Sequence, residues 1–261
     1  VTTLHGTDIT LVGSHPFYRP AVTFSINHSD KVTAVSKSLK NDTLRLFDIT
    51  TKIDVITNFI DIKKIEAKVM PCKRDLLAPK SHKIITHISN FRPLKRIQDV
   101  IKIFEKILPT VPSKLLMVGE GPEKQKAMDY VKKNGLTESI SFLGNSNEID
   151  KILCYSDLFL LPSEKESFGL SALEAMANKV PVISSNAGGI PEVNKDNFSG
   201  YLSDVGDLDG MAKNALLLLQ DDTKLKQFKK QAKEQASLFD IDSVISQYEA
   251  VYSEAIAAYQ F

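Results

Sequence analysis

Two glutamates with seven residues between them, Glu166 and Glu174, frame the segment Glu166-Ser-Phe-Gly-Leu-Ser-Ala-Leu-Glu174. A strand-like run at 158–161 ends at Pro162-Ser163, and the apolar spacing predicts a helix starting near Phe168, with Leu170, Leu173 and Ala177 on its buried face. The N–H groups of Phe168, Gly169 and Leu170 would then sit unpaired at the positive end of a helix dipole, where an anion is favoured. Gly169 would let a ligand approach the backbone closely. Glu166 precedes that helix and Glu174 lies about two turns inside it, so one ligand draped over the helix start could meet both carboxylates. Each glutamate taken alone also reads as a helix-start acid or a surface charge.

A second segment, Ser89-Asn-Phe-Arg92-Pro-Leu-Lys95-Arg96, follows another strand-like run. A guanidinium fork at Arg92 and an ammonium at Lys95 suit the two phosphates of a nucleoside diphosphate. Val118-Gly-Glu-Gly-Pro122 and Ala187-Gly-Gly-Ile-Pro-Glu192 read as turns; neither has the spacing of a GxxxxGK[ST] or GxGxxG loop. Asp207-Leu-Asp209 resembles a metal-holding carboxylate pair but directly precedes an apolar-periodic helix, so capping is the better reading and no metal site is expected. His5, in Leu4-His5-Gly6-Thr7-Asp8, follows a strand; a structural role and a place at the site stand side by side.

The elements that must carry these residues alternate between strand and helix. Strands are expected at 1–4, 31–35 and 53–57, with helices at 20–28 and 37–46. A charged stretch at 61–81 with a short helical piece reads as a linker. A cleaner series follows: strands at 83–88, 114–118, 139–143, 158–161 and 182–184, and helices at 96–108, 122–134, 148–155, 169–177, 208–220 and 222–235. This alternation predicts an α/β protein with a doubly wound parallel sheet, whose ligands bind at the carboxyl ends of the strands. The division expected is 1–78 as part of one Rossmann-like domain plus linker, 79–240 as a second Rossmann-like domain, and 241–261 as a helix packing back on the first.

At 261 residues and 43% hydrophobic content the chain can bury a real core, and a net charge of +1 makes no general case for nucleic acid. The basic residues of 224–233 alternate with apolar and acidic ones, as on a solvated helix face. No apolar run approaches the roughly 20 residues that span a bilayer, and no signal peptide is evident. Cys72 and Cys154 are isolated, which favours a reducing cytoplasm. The first residue is Val, already in a strand-like run, so an N-terminal portion is expected to precede it, and exposed apolar sheet surface is expected where that portion, or a second copy, would pack.

Together these residues resemble family 4 of the retaining glycosyltransferases, along nearly the whole chain. The most specific elements are the glutamate pair and the upstream Arg92 and Lys95. The resemblance implies the GT-B fold, here with an incomplete second Rossmann-like domain. Within that family, Val1-Thr-Thr-Leu-His-Gly-Thr-Asp-Ile-Thr-Leu-Val-Gly13, Lys31-Val-Thr-Ala-Val-Ser36 and Asn58-Phe-Ile-Asp61 look like the branch that joins N-acetylglucosamine to L-malate in the first step of bacillithiol synthesis. That implies UDP-GlcNAc and L-malate as substrates and no cofactor or metal. By resemblance, Arg92 and Lys95 hold the diphosphate, Glu166 a sugar hydroxyl and Glu174 the ribose. The backbone of Phe168, Gly169 and Leu170 completes the contacts, and His5 lies beside the reacting sugar. Thr3 and Ser36 approach the acceptor. A lipid or glycan acceptor, or a UDP-sugar-binding module without activity, are the alternatives.

Overall fold

The computed structural model of the chain describes residues 1–7, 9, 10, 13, 15–67, 74 and 77–258. Three short strands, β1 (Thr2–Leu4), β2 (Val32–Ala34) and β3 (Ile53–Val55), form a parallel sheet in the order β1-β2-β3. Helices α1 (Arg19–Asn27) and α2 (Lys37–Leu46) connect them, and the short α3 (Ile62–Ala67) leads away.

The larger sheet contains β4 (Lys83–Ile88), β5 (Ser113–Val118), β6 (Ile140–Gly144), β7 (Leu158–Leu161), β8 (Val182–Ser185) and β9 (Gly200–Ser203). Every pairing is parallel and the order is β6-β5-β4-β7-β8-β9. The chain winds outward from β4 in one direction and then from β7 in the other, as in a dinucleotide-binding fold. The central strands β4, β5, β7 and β8 are buried along most of their length, which is why β7 reads as a continuous apolar run, Leu-Phe-Leu-Leu. Helices α4 (Ile97–Ile107) and α9 (Leu208–Leu219) cover one face through Val100, Ile103, Phe104, Met211, Ala215 and Leu218. Helices α5 (Lys124–Lys133), α6 (Ile149–Tyr155), α7 (Leu170–Ala177), the short α8 (Ile190–Val193) and α10 (Asp222–Ser237) complete the layers.

Helix α11 (Ile241–Ala257) turns back, its Val244 and Val251 packing with Ile56 just after β3. The Ile60 N–H donates to the Phe239 carbonyl and its carbonyl accepts from Ile241 N, so backbone bonds fix this return. Asp207, Asp221 and Asp240 cap α9, α10 and α11, each accepting a first-turn N–H. Such caps are worth about 1 kcal/mol each. Asp209 pairs with Lys106 at 2.7 Å.

Three expectations change. Strand β9 was not foreseen; its Gly-Tyr-Leu-Ser is short and half-buried, with no clear alternation. Cys154 is disulfide-bonded rather than isolated; pairing depends on proximity in the fold, which sequence spacing does not show. The other cysteine of the reading, Cys72, lies outside the described residues, as do most of the middle of the expected linker and the end of the last helix. The apolar exposure expected of the first sheet falls instead around α1, at Phe17 and Phe24, whereas β2 is buried throughout. Among the described residues no helix is long and apolar enough to cross a membrane.

Candidate functional site

β4 and β7 are neighbours, but the chain leaves them toward opposite halves of the sheet, so the loops at their carboxyl ends diverge around a crevice. The loop after β4 carries Arg92 and a 3-10 turn, Pro93–Lys95. Two non-glycine residues in this loop adopt left-handed backbone, Phe91 (φ 37°) and Arg96 (φ 53°), and they bracket Arg92–Lys95. Full burial of the Phe91 ring and a bond from Glu123 N to its carbonyl (3.0 Å) hold the first. An ion pair from Arg96 Nε to Asp99 (2.5 Å) supports the second. Such conformations persist only where surrounding contacts enforce them.

The loop after β7 brings Glu166 to Lys95. Lys95 Nζ lies 2.5 Å from Glu166 Oε1, both side chains being largely buried, and Ser163 Oγ donates to the same oxygen at 3.0 Å. An ammonium has three donors, so Lys95 keeps two for a ligand. Arg92 is exposed, and its guanidinium has no partner among the described residues. A bond from Glu164 N to the Leu94 carbonyl (2.8 Å) joins the loops directly.

Neighbouring glycines let these loops pack closely. A Cβ at Gly119 would lie 1.8 Å from the Ser89 carbonyl oxygen, and one at Gly188 (φ 55°) would lie 1.9 Å from the Glu166 carbonyl oxygen. The two glycine segments read from sequence as turns are thus also the backing of the two site loops. Gly169, by contrast, has only ordinary contacts around a Cβ position; its φ of 99° at the N-cap of α7 is what calls for glycine.

The smaller sheet closes the crevice. Ser36 Oγ donates to the Ser167 carbonyl (2.6 Å) while accepting from Leu39 N, and Glu192 accepts the Lys37 and Ser38 N–H groups at 2.9 and 2.8 Å. Gly6 touches Ser167, where a Cβ would meet the serine Cβ at 2.5 Å. Between the two parts lies a cleft of about 430 Å³, lined by Gly6, Thr7, Thr10, Ser38 and Asp42 on one side and by Arg92, Lys95, Glu166 and Ser167 on the other. That volume suits a small-molecule site.

The structure therefore brings Arg92, Lys95 and Glu166 to one cleft, with His5 exposed beside its lining residue Gly6. Phe168 is buried against Phe239 and can offer only backbone. Leu170 was expected on the buried face, but it is 45% exposed at the first turn of α7, because the helix begins two residues later than the spacing suggested. Glu174 stands on α7, outside the cleft lining, and its carboxylate has no partner among the described residues. Burial, reinforced by Asp150, raises its pKa. Two expected acceptor residues are occupied otherwise: Ser36 is a fully buried helix cap, and the Thr3 hydroxyl pairs with Thr33 at 3.0 Å. Neither lines the cleft. Sequence reasoning missed Ser163, two residues past the end of β7, and Glu192, which had been read as part of a turn. It also missed His87, inside β4. For Glu192 and His87 a partner distant in sequence gives the residue its role, whereas Ser163 bonds Glu166 only three residues away.

Residues 72–235 match the model described as glycosyl transferases group 1, and residues 1–64 match glycosyltransferase family 4. The chain is 44% identical over 258 residues to the N-acetyl-alpha-D-glucosaminyl L-malate synthase of Bacillus anthracis, covering 98% of this chain and 68% of that protein. It is 28% identical over 225 residues to the poly(ribitol-phosphate) alpha-N-acetylglucosaminyltransferase of Staphylococcus aureus, covering 83% of this chain and 43% of that protein. Its fold matches that of Anabaena Alr3699/HepE, solved in complex with UDP and glucose, with a TM-score of 0.85 at 21% identity over 97% of this chain and 70% of that one.

Proposed function

The chain belongs to the group 1 glycosyl transferases, and on that premise we propose that its protein moves N-acetylglucosamine from UDP-N-acetylglucosamine to L-malate with retention at the anomeric carbon. The observation that carries the reading is the 44% identity, spread over 98% of the chain, to an enzyme named for that product. The cleft supports it, since it offers two cations from one loop beside a carboxylate from the next.

Charge grows on the diphosphate as the sugar–phosphate bond breaks, so preorganised cations bind the transition state more tightly than the ground state. Arg92 offers a two-pronged fork to the phosphates, and Lys95 offers its two remaining N–H donors. Glu166, already bonded to Lys95 and Ser163, is set to accept a sugar hydroxyl. The Glu174 carboxylate, without a partner among the described residues, suits ribose hydroxyls, and the first turn of α7, whose N-cap Gly169 supplies no side-chain bond, suits an anionic oxygen. The malate hydroxyl attacks the anomeric carbon on the face the diphosphate leaves. Its oxygen forms the new bond, the old carbon–oxygen bond breaks, and its proton passes to the departing phosphate oxygen. With Asp207 capping α9 and Asp209 paired to Lys106, we assign no metal to this step.

A glycan acceptor is the second reading, favoured by the similarity to the poly(ribitol-phosphate) enzyme. Release of UDP by the full-length protein distinguishes the two. L-malate is expected to drive release from UDP-N-acetylglucosamine, and release driven by a polyol-phosphate polymer but not by malate would favour the second.

A further inference from the structure

β4 and β7 share a backbone ladder that stops at the pair Thr86 and Phe159. Beyond it the link between the strands passes through a side chain. His87 is fully buried, and its Nδ1 lies 2.8 Å from the Leu160 carbonyl oxygen of β7. A carbonyl can only accept, so Nδ1 carries the proton and Nε2 presents a lone pair. Nε2 lies 2.8 Å from Ser89 Oγ, so the serine hydroxyl donates to it. The same oxygen accepts the N–H of Phe91 at 3.3 Å. Three hydrogen bonds of determined direction therefore run from β7 through His87 and Ser89 to Phe91, the left-handed residue directly before Arg92. The rings of Phe91 and Phe159 stack on the imidazole, with centroids 6.1 and 6.4 Å away.

We propose that His87 is a positioning residue for the donor site: through Ser89 it fixes the left-handed Phe91 and so sets where Arg92 and Lys95 meet a nucleoside diphosphate. The imidazole suits this task by its reach. An asparagine keeps the donor to Leu160 but loses the acceptor for Ser89, and a phenylalanine keeps the stack but leaves the carbonyl and the hydroxyl without partners. Burial, followed by the field of Lys95, holds the ring neutral, with its pKa pushed down to about 4. The direction of the bonds therefore does not reverse near neutral pH.

This inference rests on the reading of the cleft as a UDP-sugar site, and the test separates the two. In the full-length protein, Ser89→Ala, Ser89→Thr, His87→Asn and the Ser89→Ala/His87→Asn double variant are compared by UDP titration calorimetry, thermal melting and steady-state kinetics. Ser89→Ala is expected to weaken UDP binding and raise KM for the donor about fivefold to tenfold, the range for one lost hydrogen bond. Ser89→Thr, which restores the hydroxyl, is expected to recover most of that loss. The double variant is expected to bind UDP no worse than His87→Asn alone, because both changes break one chain of bonds. Ser89→Ala binding UDP as the parent does, with only a lower melting temperature, would show a purely structural tie and overturn the proposal. A parent that does not bind UDP would overturn the reading of the cleft along with it.

Discussion

Lys95 and Glu166 meet at 2.5 Å although 71 residues separate them, one in the loop after β4 and the other in the loop after β7. The ion pair spans the point where the sheet order reverses, with Arg92 in the same cleft. A cation held this way needs little rearrangement when negative charge develops beside it, which is the condition for strong electrostatic catalysis.

Replacing Lys95 by alanine leaves Glu166 with Ser163 alone and, in the mechanism proposed above, removes one donor to the departing diphosphate. A loss of roughly 2–4 kcal/mol of transition-state stabilisation is expected, seen as a fall of about 30- to 1000-fold in kcat/KM. Steady-state kinetics of the full-length variant checks it, and unchanged turnover would remove Lys95 from the mechanism.

Glu174 opposes stability in the free protein. Burial raises its folded pKa above the ordinary 4.5, so whatever stability it confers at low pH is lost as pH rises through the folded value. Glu174→Gln is therefore expected to melt higher than the parent at pH 7, with the gap closing below pH 4.5. The same variant is expected to bind UDP roughly tenfold or more weakly, through loss of charged hydrogen bonds to ribose. Melting curves with and without UDP test both halves.

Gly188 has a left-handed φ of 55° and no room for a Cβ beside the Glu166 carbonyl. Gly188→Ala is expected to cost about 2–3 kcal/mol of stability and, by pushing on the Glu166 loop, to weaken donor binding as well. Denaturant titration and UDP calorimetry on the one variant measure the two effects.

The buried imidazole of His87 makes stability depend on pH. Its pKa is about 4 in the folded chain against an ordinary 6.5, so between these values the unfolded chain binds a proton that the folded one does not. The stabilisation is complete above pH 6.5 and lost as pH falls toward 4, amounting to about 3 kcal/mol. Unfolding free energies across that window should slope less in His87→Asn than in the parent.

The regular part of the fold was legible in the sequence because its strands are continuous apolar runs and its helices carry clear apolar faces. The boundaries read for β4, β7 and α2 agree with the structure. Strand β9 escaped because one buried glycine followed by three half-buried residues carries little pattern. The place of Arg92, Lys95 and Glu166 in loops at strand ends, where such a sheet binds its ligands, was legible. Their direct pairing was not, since it depends on strand order. Ser36 misled for a related reason: a polar residue at the end of β2 reads as a site residue, while its hydroxyl caps α2 and holds the Ser167 carbonyl.

Transfer of N-acetylglucosamine to malate through this cleft would leave a distinct anomeric signature in the product. Proton NMR of the product formed by the full-length protein from UDP-N-acetylglucosamine and L-malate tests it most directly. One product is expected, N-acetylglucosamine joined through the malate hydroxyl in the α configuration of the donor, appearing in step with UDP. A β-linked product, or UDP-N-acetylglucosamine left unconsumed in the presence of malate, would contradict it.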